Sequence, residues 1–153
     1  MTLLVLDVGN TQTVAGLFSN ETLHACCRMH TEPKLTEDEL YMNLSWFFKN
    51  QGLDFSEIEQ TVISCVVPPM NRTLDQFCRK YLALDPDWIS PESVDMPIRY
   101  YNPGEIGADR LVNAVAAYEK YSTSLVIIDF GTATTFDCIS ANGEYLGGAI
   151  APG

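Results

Sequence analysis

Basic side chains are scarce in this sequence. Nine lysines and arginines stand against twenty acids, a formal charge of −11 over 153 residues. No positive field draws in nucleic acid or an anionic membrane, so neither is expected as a partner. Histidine is rarer still: His24 and His30 are six residues apart, with no carboxylate spaced to complete a metal site, and both read as surface side chains. The five cysteines (Cys26, Cys27, Cys65, Cys78 and Cys138) are odd in number and lack any C-x-x-C spacing. A disulfide framework and a zinc site are both disfavoured, and the thiols are expected to be reduced and mostly buried in a cytoplasmic protein. No apolar run approaches bilayer length, and the apolar N-terminus breaks at Asp7, too soon for a signal peptide. What remains is a globular chain, 46% apolar and able to bury a core.

The feature that organises the chain is a stretch that occurs twice. Leu3 to Val14 reads L-L-V-L-D-V-G-N-T-Q-T-V, and about 120 residues later Leu125 to Phe136 reads L-V-I-I-D-F-G-T-A-T-T-F. Asp7 falls on Asp129, Gly9 on Gly131 and Thr13 on Thr135. Four consecutive apolar residues predict a strand covered on both faces, which delivers a carboxylate to its end. A glycine two residues further on allows positive φ and close approach of backbone N–H groups to an anion. Two such turns supply two clamps for one phosphate chain.

Between the copies, Gln12 to Phe18 and Thr22 to Arg28 read as strands that complete a meander with the first. Thr36-Glu37-Asp38-Glu39 is a capping box, and Leu40, Leu44, Phe47 and Phe48 continue at helical spacing until Gly52. Thr61 to Val67 is a β-branched run stopped by Pro68 and Pro69, and Asn71 to Leu82 carries an apolar face with Leu74, Phe77, Cys78 and Tyr81. Asp87 to Ser90 reads as a short strand. Beyond the second copy, Thr134 to Ser140 pairs back, and Asn142-Gly143 marks a hairpin before Tyr145 to Ile150.

The loop Tyr100 to Arg110, Y-Y-N-P-G-E-I-G-A-D-R, has one proline and two glycines ahead of a carboxylate and a guanidinium, with a helix immediately after. A first-turn acid favoured by the helix dipole accounts for Asp109 equally simply. The alternative is a pocket floor whose two tyrosines, acid and arginine suit a small polar ligand bearing its own carboxylate. Arg110 then either pairs with that carboxylate or braces Asp109, and the sequence leaves both open.

Four motifs in order, Asp7-Val8-Gly9-Asn10-Thr11, Asn102 to Arg110, Asp129 to Thr135 and Gly147 to Gly153, resemble type III pantothenate kinase, within the actin, sugar-kinase and heat-shock ATPase superfamily. The resemblance implies an α/β, ribonuclease H-like fold of duplicated actin-like ATPase domains, with a mixed five-stranded sheet flanked by helices. Residues 1–122 would be the first lobe and 123–153 the start of the second. It implies ATP-dependent phosphorylation of pantothenate, the first step of coenzyme A synthesis, by a cytoplasmic homodimer using Mg²⁺ and a monovalent cation, K⁺ or NH₄⁺. Carried over by position, Asp7, Val8, Gly9, Asn10, Thr11, Gln12, Thr13 and Val14 form the first ATP phosphate loop, Thr132 contacts ATP from the second, and Mg²⁺ sits near Asp7 through water. Tyr100, Gly107, Ala108, Asp109 and Arg110 hold pantothenate, Asp109 accepts the proton, and Asp129 ligates the monovalent cation. The family normally continues well past Gly153, so the chain reads as a fragment, expected to be inactive alone because half the nucleotide cleft is missing. A non-catalytic transcription accessory protein and a phosphohydrolase of the same superfamily are the other readings.

Overall fold

The computed structural model describes residues 1–153, which form two compact units, Met1–Trp88 and Ile89–Gly153. The first is built on a mixed five-stranded sheet in the order β3-β2-β1-β4-β5. Strands β1 (Thr2–Val8), β2 (Gln12–Ser19) and β3 (Thr22–His30) form the expected antiparallel meander, while β4 (Gln60–Cys65) and the short β5 (Asp87–Trp88) add in parallel. β4 stops short of the expected Val67, because Val66 and Val67 lead into a 3₁₀ turn at Pro68–Met70. Strand pairing puts Leu4 beside Leu17, Leu6 beside Ala15 and Ile63, and Val8 beside Thr13 on one face, and all of these are buried. Leu3 and Val5, on the other face, are half-buried.

Helices α1 (Glu37–Asn50) and α2 (Asn71–Phe77) supply the rest of this core through Leu40, Leu44, Phe48, Leu74 and Phe77. The capping box forms as read: Thr36 Oγ1 accepts from the Glu39 amide at 3.3 Å, and the Glu39 carboxylate accepts from the Thr36 amide at 2.9 Å. Those amide and hydroxyl donors hold the Glu39 carboxyl below its ordinary pKa. The second helix departs from expectation. It is regular only to Phe77, and Cys78–Leu82 continue as a wider π turn that ends at left-handed Ala83 (φ 55°). Side-chain ties accompany the widened turn: Tyr81 stacks on Tyr41 with ring centroids 4.0 Å apart, and its hydroxyl donates to Asp38 at 2.6 Å. No spacing rule for a regular helix shows such a turn.

The second unit carries α3 (Ala108–Tyr121) and a three-stranded antiparallel sheet, β6 (Leu125–Phe130), β7 (Ala133–Ile139) and β8 (Tyr145–Pro152), in that order. Its core gathers Met96, Ile106, Leu111, Ala114, Ile139 and Tyr145. By packing, residues 89–122, α3 included, group with this sheet. Gly143 makes the hairpin with φ +77°, and a Cβ there would meet the Tyr118 ring. β6 is not covered on both faces: Val126, Ile128 and Phe130 are 60%, 49% and 82% exposed. The cysteines also depart from expectation, for all five are free but only Cys78 is buried, where desolvation pushes its thiol to about 12. No helix is long and apolar enough to cross a membrane.

Burial of Leu44 on the central face of α1 is worth about 1.5–3 kcal/mol in transfer alone. Leu44→Ala also leaves a cavity, so urea unfolding should show a loss of about 2–5 kcal/mol. A loss below about 1 kcal/mol would mean that α1 is not seated on the sheet as described.

Candidate functional site

In the first unit, β1 alternates three buried residues inward and turns Asp7 out at its end. Asp7 Oδ1 accepts from Ser64 Oγ at 3.1 Å, its parallel neighbour on β4, which orients the carboxylate without covering it. The chain then reverses through Gly9, Asn10 and Thr11, closed by a Gly9 N–H donating to the Gln12 carbonyl at 3.0 Å. Gly9 does not adopt positive φ; a Cβ there would sit 3.2 Å from the Gln12 carbonyl, so the turn needs glycine for tightness. Thr31, just beyond β3, braces this turn from behind. Its hydroxyl donates to the Gly9 carbonyl at 2.6 Å and its amide to the Thr11 carbonyl at 3.0 Å, while Thr13 and Thr31 hydroxyls lie 2.9 Å apart. Of the eight residues from Asp7 to Val14, the side chains of Asp7, Asn10, Thr11 and Gln12 are exposed. Val8 and Thr13 are buried, so only their backbone is open to a ligand.

The second unit repeats the device with one change. β6 ends in an exposed Asp129, on the α3-facing side with Leu125 and Ile127, and the chain reverses through Gly131 and Thr132, closed by Gly131 N–H to the Ala133 carbonyl at 3.1 Å. This turn is one residue tighter, so Phe130 pairs with Thr134 where Val8 pairs with Thr13. The structural counterpart of Thr13 is therefore Thr134, not the Thr135 of the ungapped sequence comparison. A one-residue slip exchanges the faces of a strand, and letters alone do not reveal it.

Helix α3 starts at Ala108, with Gly107 as its N-cap, so Asp109 lies in the first turn. Its Oδ1 accepts from the Arg110 amide at 2.8 Å. One turn along the same helix face, Asn113 Nδ2 donates to Asp129 Oδ2 at 3.1 Å, which brings the α3 start and the end of β6 together. Arg110 points instead to the sheet: its guanidinium donates to Asp137 Oδ1 from Nε at 2.8 Å and from Nη2 at 2.6 Å, and to the Phe136 carbonyl at 3.3 Å. Burial opposes the arginine's charge, but Asp137 first, with Tyr145 and Asp109 beside it, keeps the guanidinium pKa above its ordinary value. Tyr145 donates its hydroxyl to Asp137, and desolvation followed by that bond pushes the phenol well above its usual range. Tyr100 is exposed, its ring lying over Gly147, where φ is +123° and a Cβ would come within 3.0 Å of it.

Several of these positions carried no advance signal. Ser64, Thr31, Asp137 and Tyr145 reach the turns and the loop only through strand pairing. Asn113 alone was within reach of sequence, four residues after Asp109 on one helix face. No three His, Cys, Asp or Glu side chains converge into a metal cage. The donor set at each turn is one exposed carboxylate with an orienting neighbour, which suits a cation completed by water and phosphate oxygens.

Residues 3–153 match a family model described as type III pantothenate kinase. A type III pantothenate kinase from Desulforapulum autotrophicum is 58% identical over 153 residues, 99% of this chain and 58% of that protein. One from Desulfatibacillum aliphaticivorans is 55% identical over 152 residues, 99% of this chain and 59% of its own length. The chain thus spans less than two thirds of the curated relatives it matches. Among solved structures, the ethanolamine utilization protein EutJ from Carboxydothermus hydrogenoformans aligns with a TM-score of 0.59 at 12% identity, covering 99% of this chain and 52% of that one. A Ppx/GppA phosphatase from Aquifex aeolicus aligns with a TM-score of 0.54 at 14% identity, covering 99% and 52%. At such identities these two likenesses show the fold alone, that of actin-like ATPases.

Gly148 lies where a Cβ would overlap the Phe136 carbonyl, the Arg110 guanidinium and Asp137. Neither the carbonyl nor the buried ion pair has room to give. Gly148→Ala should cost about 3 kcal/mol or more by thermal unfolding, and near wild-type stability would contradict the packing around Arg110.

Proposed function

The chain belongs to the type III pantothenate kinase family, and from that premise we propose that the protein transfers the γ-phosphoryl group of ATP to the primary hydroxyl of pantothenate. The product is 4'-phosphopantothenate, and the step opens coenzyme A synthesis. The observation that supports this reading is the Asn113–Asp129 hydrogen bond, which ties the helix carrying Asp109 in its first turn to the acid at the end of β6.

In this reading Gly9, Asn10 and Thr11 offer amides and polar side chains to the ATP phosphates from one turn, and Thr132 contacts them from the other. Asp7, oriented by Ser64, would help hold Mg²⁺ through water, and Asp129, oriented by Asn113, would hold K⁺ or NH₄⁺. When bound, such cations would supply charge neutralisation at the transferring group. Tyr100, Gly107, Ala108 and Arg110 form the pantothenate side, with the Arg110 guanidinium engaged on Asp137 and its backbone orienting Asp109. The pantothenate hydroxyl oxygen attacks the γ-phosphorus, the bond to the β–γ bridging oxygen breaks, ADP departs, and Asp109 takes the hydroxyl proton. An ordinary carboxylate serves, since the proton need leave only as the new bond nears completion. Homodimer formation and a cytoplasmic location belong to the same proposal.

Full-length protein should phosphorylate pantothenate with ATP and depend on K⁺ or NH₄⁺. Asp109→Asn keeps the shape of the first turn but cannot accept the proton, so kcat should fall about 10²–10⁴-fold with the fold unchanged by circular dichroism. A normal rate in that variant removes Asp109 as the base.

A further inference from the structure

The Arg110 cluster does more than fill space in the second unit. Asp137 is buried, takes two guanidinium contacts and the Tyr145 hydroxyl on Oδ1, and leaves Oδ2 buried with no partner. Such a carboxylate is tolerable only while the guanidinium stands against it. The guanidinium in turn is only 12% exposed and is admitted by the missing side chain of Gly148. At the other end of Arg110, its amide bonds the Asp109 carboxylate at 2.8 Å and the Gly107 carbonyl at 3.1 Å. Asp137 itself lies on β7, the strand that leaves the turn Gly131–Thr132.

We infer that Asp137 is a positioning residue: by clasping Arg110 against β7, with Tyr145 and Gly148 completing the seat, it fixes the separation between the Asp109 carboxylate and the second glycine turn. Leu111 and Ala114 keep α3 on the sheet by apolar packing, and Asn113 adds one bond a turn further along. The Arg110–Asp137 pair ties the first turn, where Asp109 sits, by charge and hydrogen bonds to β7, the strand that leaves the Gly131–Thr132 turn. The consequence for rate rests on the kinase reading, because small misplacements of a catalytic group cost large factors in turnover.

Asp137→Asn, matched in shape, tests this by amide exchange and by steady-state kinetics on the same preparation. Exchange at the Arg110 and Leu111 amides should quicken at least tenfold, with β1 and β4 unaffected. kcat should fall about ten- to a hundredfold, while KM for ATP stays within twofold. A merely structural role would lower stability without separating kcat from KM for ATP. Unchanged exchange overturns the inference, and so does faster exchange with unaltered kcat. If Asp137→Asn does not fold, Tyr145→Phe removes one bond to the carboxylate and keeps the charge pair; smaller changes in the same two readouts are expected, and no change in either overturns it. Should wild-type protein transfer no phosphoryl group to pantothenate, the functional reading fails separately, and exchange alone decides whether Asp137 holds the α3 start.

Discussion

Burial of Leu4, Leu6 and Val8 along one side of β1 obliges the intervening Asp7 to face the other way, at the strand's end where the chain reverses. The period of two in a strand turns an apolar requirement into the placement of a charge. Parallel pairing then sets Ser64 beside the carboxylate, and the meander returns Thr31 to brace the turn from behind. The first phosphate turn proposed here is thus held by a core that contains none of its ligand-facing groups. The second unit reaches the same result differently. There the carboxylate is oriented from a helix, through Asn113, and the turn is one residue tighter.

The second unit also concentrates the polar chemistry of the Tyr100–Arg110 loop on one buried ion pair. Arg110 and Asp137 are largely withdrawn from solvent, with Tyr145 donating to the same carboxylate. A buried pair of this kind is weak evidence for stability, since removing charges from water costs several kcal/mol per ion. Its value lies in geometry, because it joins the beginning of α3 to a strand leaving the glycine turn. The glycines at 147 and 148 acquire a specific meaning from it: one leaves room for the Tyr100 ring and the other for the guanidinium.

Much of this was legible in the letters. The duplicated D-x-G stretch gave the two turns, the period-two and helical spacings gave the meander, the capping box and α3, and the motif order gave the family. What escaped the sequence depended on pairing or on subtle helical geometry. The π turn after Phe77 keeps an apolar face that a regular helix would also show. The slip between Thr13 and Thr134 arises from one residue in a loop. Gly9 was read for left-handed backbone, whereas it serves close approach. Thr31, Ser64 and Asp137 were ordinary polar residues until strand register put them beside the turns.

In the proposed function the two acid-tipped turns act on one triphosphate. This is tested most directly by following the backbone amide resonances of Gly9, Asn10, Thr11, Gly131 and Thr132 while Mg²⁺ and ATP are titrated into the protein. Shifts at both turns that saturate along one binding curve are expected. Shifts confined to a single turn, or two turns saturating with separate affinities, would contradict it.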